Sequence, residues 1–185
     1  DGGCAMAASG AFELPEIFSF PPFFTLQIVD ETLEKQLSQW KDLIVAYHKA
    51  HRKGIMVVSE FELWKNSAID CKLSEEGIAA VMDYLVASKY GEWEEEGSRA
   101  RCRVYWKSLD EWAGLIYDFA VEADMVGNVY TVHELHSGEI SEGQPFHGLE
   151  AVTVVKALEK LEDQGKATLF TGSSPDAMGV KFLAV

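Results

Sequence analysis

The sequence predicts an α+β, mostly helical protein: two tandem winged-helix domains preceded by an extended proline- and phenylalanine-rich segment. Apolar residues recur at helical spacing in separate stretches. The order helix, strand, helix, helix, β-hairpin occurs twice, and the second pass overlays on the first at a nearly constant shift. A length of 185 residues suits one ordinary domain or two small ones.

Residues 12–30 read as extended, because Pro15, Pro21 and Pro22 fix φ and bias their predecessors away from helix. A helix opens near Asp30, its N-cap, with Glu31 and Glu34 suiting the positive end. Leu33, Leu37, Trp40, Ile44 and Tyr47 form its apolar face to about His51, and Gly54 stops it. Ile55–Val58 is a short strand, and Ser59 caps a short helix through Phe61, Leu63 and Trp64. Ser74 starts the third helix, with Gly77 where a capping box would place Glu, and with Ile78, Val81, Met82 and Leu85 inward. Tyr90–Glu94 and Arg101–Trp106 make a hairpin around Glu95–Ser98.

The second pass begins at Ser108, which caps a helix carrying Trp112, Leu115, Ile116 and Phe119. A strand at Val129–Thr131, a short helix at Val132–His136 and a polar loop at Ser137–His147 follow. A helix over Leu149–Gln164 turns Val154, Ala157, Leu158 and Leu161 inward, and a hairpin pairs Lys166–Thr171 with Val180–Leu183. Trp40, Leu43, Ile44 and Tyr47 overlay Trp112, Leu115, Ile116 and Phe119 at a shift of 72. Ile78, Val81, Met82, Leu85 and Trp93 overlay Val154, Ala157, Leu158, Leu161 and Leu169 at a shift of 76. A unit of this length is too long for a solenoid repeat and reads as a duplicated small domain.

The expected organisation is a cloning-derived leader and disordered start over residues 1–13, with Asp1–Ala5 the scar and Met6 the native start. A docking segment covers 14–30, the first winged helix 31–107 and the second 108–185.

Charge limits what such a protein can bind. Sixteen basic against thirty acidic residues give a net charge of −14. Residues 1–107 carry twelve against seventeen (net −5), and residues 108–185 four against thirteen (net −9). Both third helices are net acidic, whereas a phosphate-binding surface needs the opposite sign. The basic cluster Arg99, Arg101 and Arg103 at the first wing reads as a solvated or acid-paired edge. No direct nucleic-acid contact is expected, although a tandem winged-helix DNA-binding transcriptional regulator is the alternative reading. No apolar run is long enough to span a bilayer. Cys4, Cys71 and Cys102 are an odd count without a CxxC, which predicts reduced thiols and a cytoplasmic protein.

Catalytic chemistry is not expected. His133-Glu134-Leu135-His136 has its histidines at i, i+3, whereas a zincin helix needs i, i+4, so His133, His136 and His147 read as structural. Asp110-Glu111 and Glu94-Glu95-Glu96 point in different directions and make no acid/base pair. No cofactor and no metal site is expected.

The N-terminal segment carries the functional signal. Pro15, Phe18, Pro21 and Phe24 are spaced by three, the period of polyproline II, so they would lie along one edge. A pre-extended segment loses little entropy on docking into an aromatic-lined groove. The segment either docks on a partner, the reading adopted, or folds back onto its own first domain.

Several stretches then point to a family. Ser19-Phe20-Pro21-Pro22-Phe23-Phe24-Thr25-Leu26-Gln27 precedes the Trp40 helix, and Tyr105-Trp106-Lys107-Ser108-Leu109-Asp110-Glu111-Trp112 leads to Leu115-Ile116-Tyr117. Tyr130-Thr131-Val132-His133-Glu134-Leu135 and Glu142 with Phe146-His147-Gly148-Leu149 follow in order. From about Leu14 onward the chain resembles the small subunit of the ESCRT-II endosomal sorting complex, the vacuolar protein sorting protein twenty-five family.

The resemblance implies a non-enzymatic adaptor in a Y-shaped complex holding two copies of the small subunit. It sorts ubiquitinated membrane proteins into multivesicular bodies. Each copy would dock through a PPxY-type motif, here Phe18, Phe20, Pro21, Pro22, Phe23 and Phe24, onto one of two larger subunits. The second winged helix would recruit the first ESCRT-III subunit at endosomes. Glu139, Glu142, Glu150 and Glu159 are the candidate facing residues, because an acidic surface suits a basic partner helix. Membrane contact would be indirect, through the complex. The family motif usually ends in Tyr where this chain has Phe24. The missing hydroxyl forgoes a hydrogen bond worth about 0.5–1.5 kcal/mol.

Overall fold

A computed structural model describes residues 12–185, in two compact units that meet in sequence between Trp106 and Lys107. Residues 1–11 of the expected leader, with Cys4 and the expected start at Met6, lie outside the described residues; within the rest of the expected disordered start, Phe12 is ordered and packs edge-on against Tyr47 at 5.5 Å.

The first unit opens with two 3-10 turns, Glu16–Ser19 and Pro21–Phe24. Helix α1 (Asp30–His51) follows, then strand β1 (Ile55–Val57) and two further 3-10 turns, Val58–Glu60 and Glu62–Trp64. Next come a small hairpin of β2 (Lys65–Asn66) and β3 (Cys71–Lys72), helix α2 (Glu75–Ala87), and the wing strands β4 (Gly91–Trp93) and β5 (Arg101–Val104). The sheet order is β1-β5-β4, all antiparallel.

The second unit runs α3 (Leu109–Glu122), β6 (Val129–Thr131), α4 (Val132–Ser137), a 3-10 turn at Glu139–Ser141 and α5 (Ala151–Asp163). It closes with wing strands β7 (Ala167–Phe170) and β8 (Gly179–Phe182) around a 3-10 turn at Pro175–Ala177. Its sheet order, β6-β8-β7, repeats that of the first unit strand for strand.

The duplication reaches the cores. Trp40 and Trp112 are both buried on the first helix of their unit, as are Ile44 and Ile116. Val81, Met82 and Leu85 match Ala157, Leu158 and Leu161, all buried. Ser108 and Thr131 complete capping boxes with Glu111 and Glu134, satisfying N-terminal amides at both helices. At Ser74 the hydroxyl caps Gly77, but the box glutamate is absent for a steric reason. A Cβ at position 77 would lie 2.7 Å from the buried Leu73 side chain.

Several boundaries differ from expectation. Asp30 is the first helical residue, after an N-cap at Val29 that has no capping side chain. Helix α1 ends at Arg52, in the left-handed region (φ +49), and not through Gly54. The short helix expected after Ser59 is two separate 3-10 turns, and the β2–β3 hairpin is an addition to the expected order. Cys71 and Cys102 are free thiols, the latter buried and its pKa pushed up to about 11 by desolvation. Among the described residues no helix is long and apolar enough to cross a membrane.

Candidate functional site

The extended conformation expected for residues 14–30 is corrected by the structure. Phe18 N–H donates to Pro15 O (3.0 Å), Phe20 to Ile17 O (3.0 Å), Phe23 to Phe20 O (2.9 Å) and Thr25 to Pro22 O (3.2 Å). These are i to i+3 bonds, and the 3-10 helix shares with polyproline II a period of three residues. A spacing of three therefore cannot tell the two apart. Pro15 and Pro21 sit where their missing N–H costs nothing, at the start of each turn.

The four residues of the expected stripe do not share an outward edge. Phe18, Phe23 and Phe24 are buried in the first unit's core, while Pro15 and Pro21 are exposed. Phe23 stacks on Trp40 with ring centroids 4.3 Å apart and planes 6° from parallel. Phe24 meets Trp40 edge-on at 5.5 Å and Phe18 at 5.3 Å. Each buried ring contributes about 1.5–3 kcal/mol, which outweighs keeping the segment free and exposed.

Polar bonds fix the same register. Trp40 Nε1 donates to Phe23 O (3.1 Å), and Asn66 Nδ2, from β2, donates to Phe18 O (2.8 Å). Gln36, only 5% exposed, donates through Nε2 to Phe23 O and Thr25 O (2.9 Å each) and accepts from Gln27 N–H at Oε1 (3.1 Å). Sequence reasoning missed Gln36 and Asn66. The readable signal for Gln36 was a polar residue inside the buried phase Leu33, Leu37, Trp40.

What remains outward is a short exposed run, Phe20-Pro21-Pro22, with Phe20 53% exposed between the two turns. Beside it lies a shallow pocket of about 510 Å³, bordered by Pro21, Pro22, Gln27, Asp70, Cys71 and Lys72. The six expected docking residues thus divide into three anchors (Phe18, Phe23, Phe24) and three presented residues (Phe20, Pro21, Pro22).

The basic cluster at the first wing is paired with acids. Arg99 bonds Asp83 of α2, Arg101 Nε lies 2.5 Å from Glu94, and Arg103 lies 3.4 Å from the same carboxylate. In the second unit Glu139, Glu142, Glu150 and Glu159 are all exposed. Glu139 and Glu142 flank one 3-10 turn. Glu150, the N-cap of α5, and Glu159 are nine positions apart, about half a turn out of phase at roughly 100° per residue. Those two lie on different sides of α5, so the four glutamates are not one face. His147 Nδ1 is 2.9 Å from Ser141 Oγ inside its loop, whereas His133 and His136 sit on α4 beside Asp176.

The family model for "ESCRT-II complex subunit" matches residues 17–150. Vacuolar protein sorting-associated protein 25 of Arabidopsis thaliana is 39% identical over 172 residues, covering 92% of this chain and 96% of the relative. The Homo sapiens protein of the same name is 35% identical over 175 residues, covering 93% and 98%. The crystal structure of subunit VPS25 of the endosomal trafficking complex ESCRT-II superposes with a TM-score of 0.80 at 26% identity, covering 92% of this chain and 98% of that one. A chain in the structure of the ESCRT-II endosomal trafficking complex gives a TM-score of 0.74 at 26% identity, covering 91% and 99%. With its duplicated winged helix and these matches along nearly its whole length, the chain belongs to the family of ESCRT-II complex subunits.

Proposed function

We propose that the chain is a non-enzymatic adaptor that docks, each copy onto one of two larger ESCRT-II subunits, through the Phe20-Pro21-Pro22 run of its N-terminal motif, and recruits the first ESCRT-III subunit through its second winged helix. It would act in the cytoplasm and be carried to endosomal membranes by the complex, in sorting ubiquitinated membrane proteins into multivesicular bodies. Membership of the ESCRT-II subunit family supports two partners of this kind, and a chain of the same fold occurs in the solved endosomal complex ESCRT-II (VPS22/VPS25/VPS36).

The observation that carries the docking role is the exposed Phe20 followed by two exposed prolines, held by buried phenylalanines on either side. A large apolar residue kept in water on a rigid turn is a preformed anchor that orders little on binding. The paired wing arginines favour this reading over a DNA-binding regulator, since cations already bonded to acids offer little to phosphate.

The test is co-purification with the relatives of VPS22 and VPS36 from the same source. Phe20→Ala with Pro21→Ala should lose the complex and leave thermal unfolding unchanged. Retention of both partners would reject the docking role. Phe24→Ala is unsuitable here, because Phe24 lies in the core and its loss would destabilise the first unit by about 3–5 kcal/mol. For the second role, the full chain should bind the basic N-terminal helix of the first ESCRT-III subunit, more weakly as salt rises over a Debye length of about 8–10 Å. Binding indifferent to salt would leave an apolar recruitment surface instead.

A further inference from the structure

We propose that His133, His136 and Asp176 form a binding site for a divalent transition metal ion, with Zn²⁺ the best fit to the ligand set. Their ligand atoms all lie within 4.8 Å of one another. His133 and His136 are three residues apart on α4 and so share one face of it. Asp176 comes from the 3-10 turn in the second wing. Its Oδ1 lies 2.5 Å from His136 Nε2 and 3.7 Å from His133 Nδ1.

Zinc binds imidazole nitrogen and carboxylate oxygen at about 2.0–2.2 Å, which puts neighbouring ligand atoms roughly 3.3 Å apart in a tetrahedron. The His133–Asp176 separation is already close to this. The His136–Asp176 contact must open by less than about 1 Å, and both Asp176 and the 64% exposed His133 are free to adjust toward water. Ser137 Oγ lies 2.7 Å from His136 Nδ1. It can accept the Nδ1–H and so hold the tautomer in which Nε2 is the ligand, the usual outer-shell arrangement.

The neighbours are otherwise engaged: Glu134 is bonded to Thr131 in the capping box and His147 contacts Ser141. That leaves three protein ligands and an open position facing solvent. Two imidazoles and one carboxylate select Zn²⁺ and its neighbours over Mg²⁺ or Ca²⁺, which want oxygen ligands. A bound ion would clamp the wing turn onto α4, beside the existing bond from Val132 N–H to Met178 O (2.9 Å).

The full chain, with Cys4→Ser and Cys71→Ser to remove other soft ligands, should be titrated with Zn²⁺ against a chromogenic chelator in millimolar Mg²⁺. One equivalent should bind. His133→Ala, His136→Ala and Asp176→Asn should each weaken binding at least about tenfold. Zn²⁺ should also slow amide exchange across residues 176–178. His133→Ala keeps the test sound against misfolding, since a side chain 64% exposed contributes little to packing. No binding above the chelator, binding that Mg²⁺ displaces, or binding unchanged in all three variants would overturn the site.

Discussion

Replacing Gln36 with alanine should loosen the N-terminal turns from α1. The side chain donates two 2.9 Å bonds, to Phe23 O and Thr25 O, and accepts one from Gln27 N–H at 3.1 Å. Three bonds at about 1 kcal/mol each set an upper scale near 3 kcal/mol. Both carbonyl acceptors keep a second donor: Trp40 Nε1 still reaches Phe23 O, and Gln27 Nε2 still reaches Thr25 O at 2.8 Å. The expected loss is therefore about 2 kcal/mol, most of it from the Gln27 amide and the truncated stem. Gln36→Glu is the sharper variant. It keeps the acceptor for Gln27 but places a carboxylate against two carbonyl oxygens, with no hydrogen to donate. It should cost about 3 kcal/mol or more, exceeding alanine, because an unsatisfied buried charge is worse than a lost bond. Equilibrium urea unfolding followed by tryptophan fluorescence is suited to the measurement. Four of the five tryptophans lie in residues 1–107, so the signal reports chiefly on the first unit. A loss under about 0.5 kcal/mol for alanine, or a glutamate variant as stable as alanine, would refute the claim that Gln36 ties the segment down.

The two buried tryptophans should behave as equivalent anchors, so Trp40→Ala and Trp112→Ala should each cost about 3–5 kcal/mol in chemical denaturation. Gly77→Ala should cost about 1–3 kcal/mol, against the usual gain from alanine in a helix, because its Cβ would meet Leu73 at 2.7 Å; equal stability would show that Leu73 yields freely. Burial holds the His48 pKa below its ordinary value, with Nδ1 2.7 Å from Lys53 O and no hydrogen-bond partner at Nε2 among the described residues. The unfolded chain then binds the proton more readily, so stability should be full above about pH 6.5 and fall as pH drops toward the depressed value. His48→Gln should flatten that slope in thermal melts across the same range, and an unchanged slope would assign it to other groups.

The sequence determined both cores. Burial of an apolar stripe at helical period needs no partner to be legible, and so Trp40, Ile44, Trp112, Ile116 and the α2 and α5 faces were assigned from spacing alone. The net acidity of both third helices likewise disfavours phosphate binding by composition alone, and the wing arginines, paired with Asp83 and Glu94, agree. The tertiary structure decided the N-terminal segment. A period of three fits both polyproline II and 3-10 turns, and only the indole face of Trp40, reached across seventeen residues from Phe23, selects the folded turn. Long-range pairing also decided which polar groups meet. Asn66 reaches Phe18 O across forty-eight residues, and His136 meets Asp176 across forty, on elements whose separation in sequence hides their contact. Local spacing records which face of an element is apolar. Which neighbour covers that face, and which of six motif residues are left in water, depends on the closed chain, where burial of Phe18, Phe23 and Phe24 leaves Phe20, Pro21 and Pro22 outside.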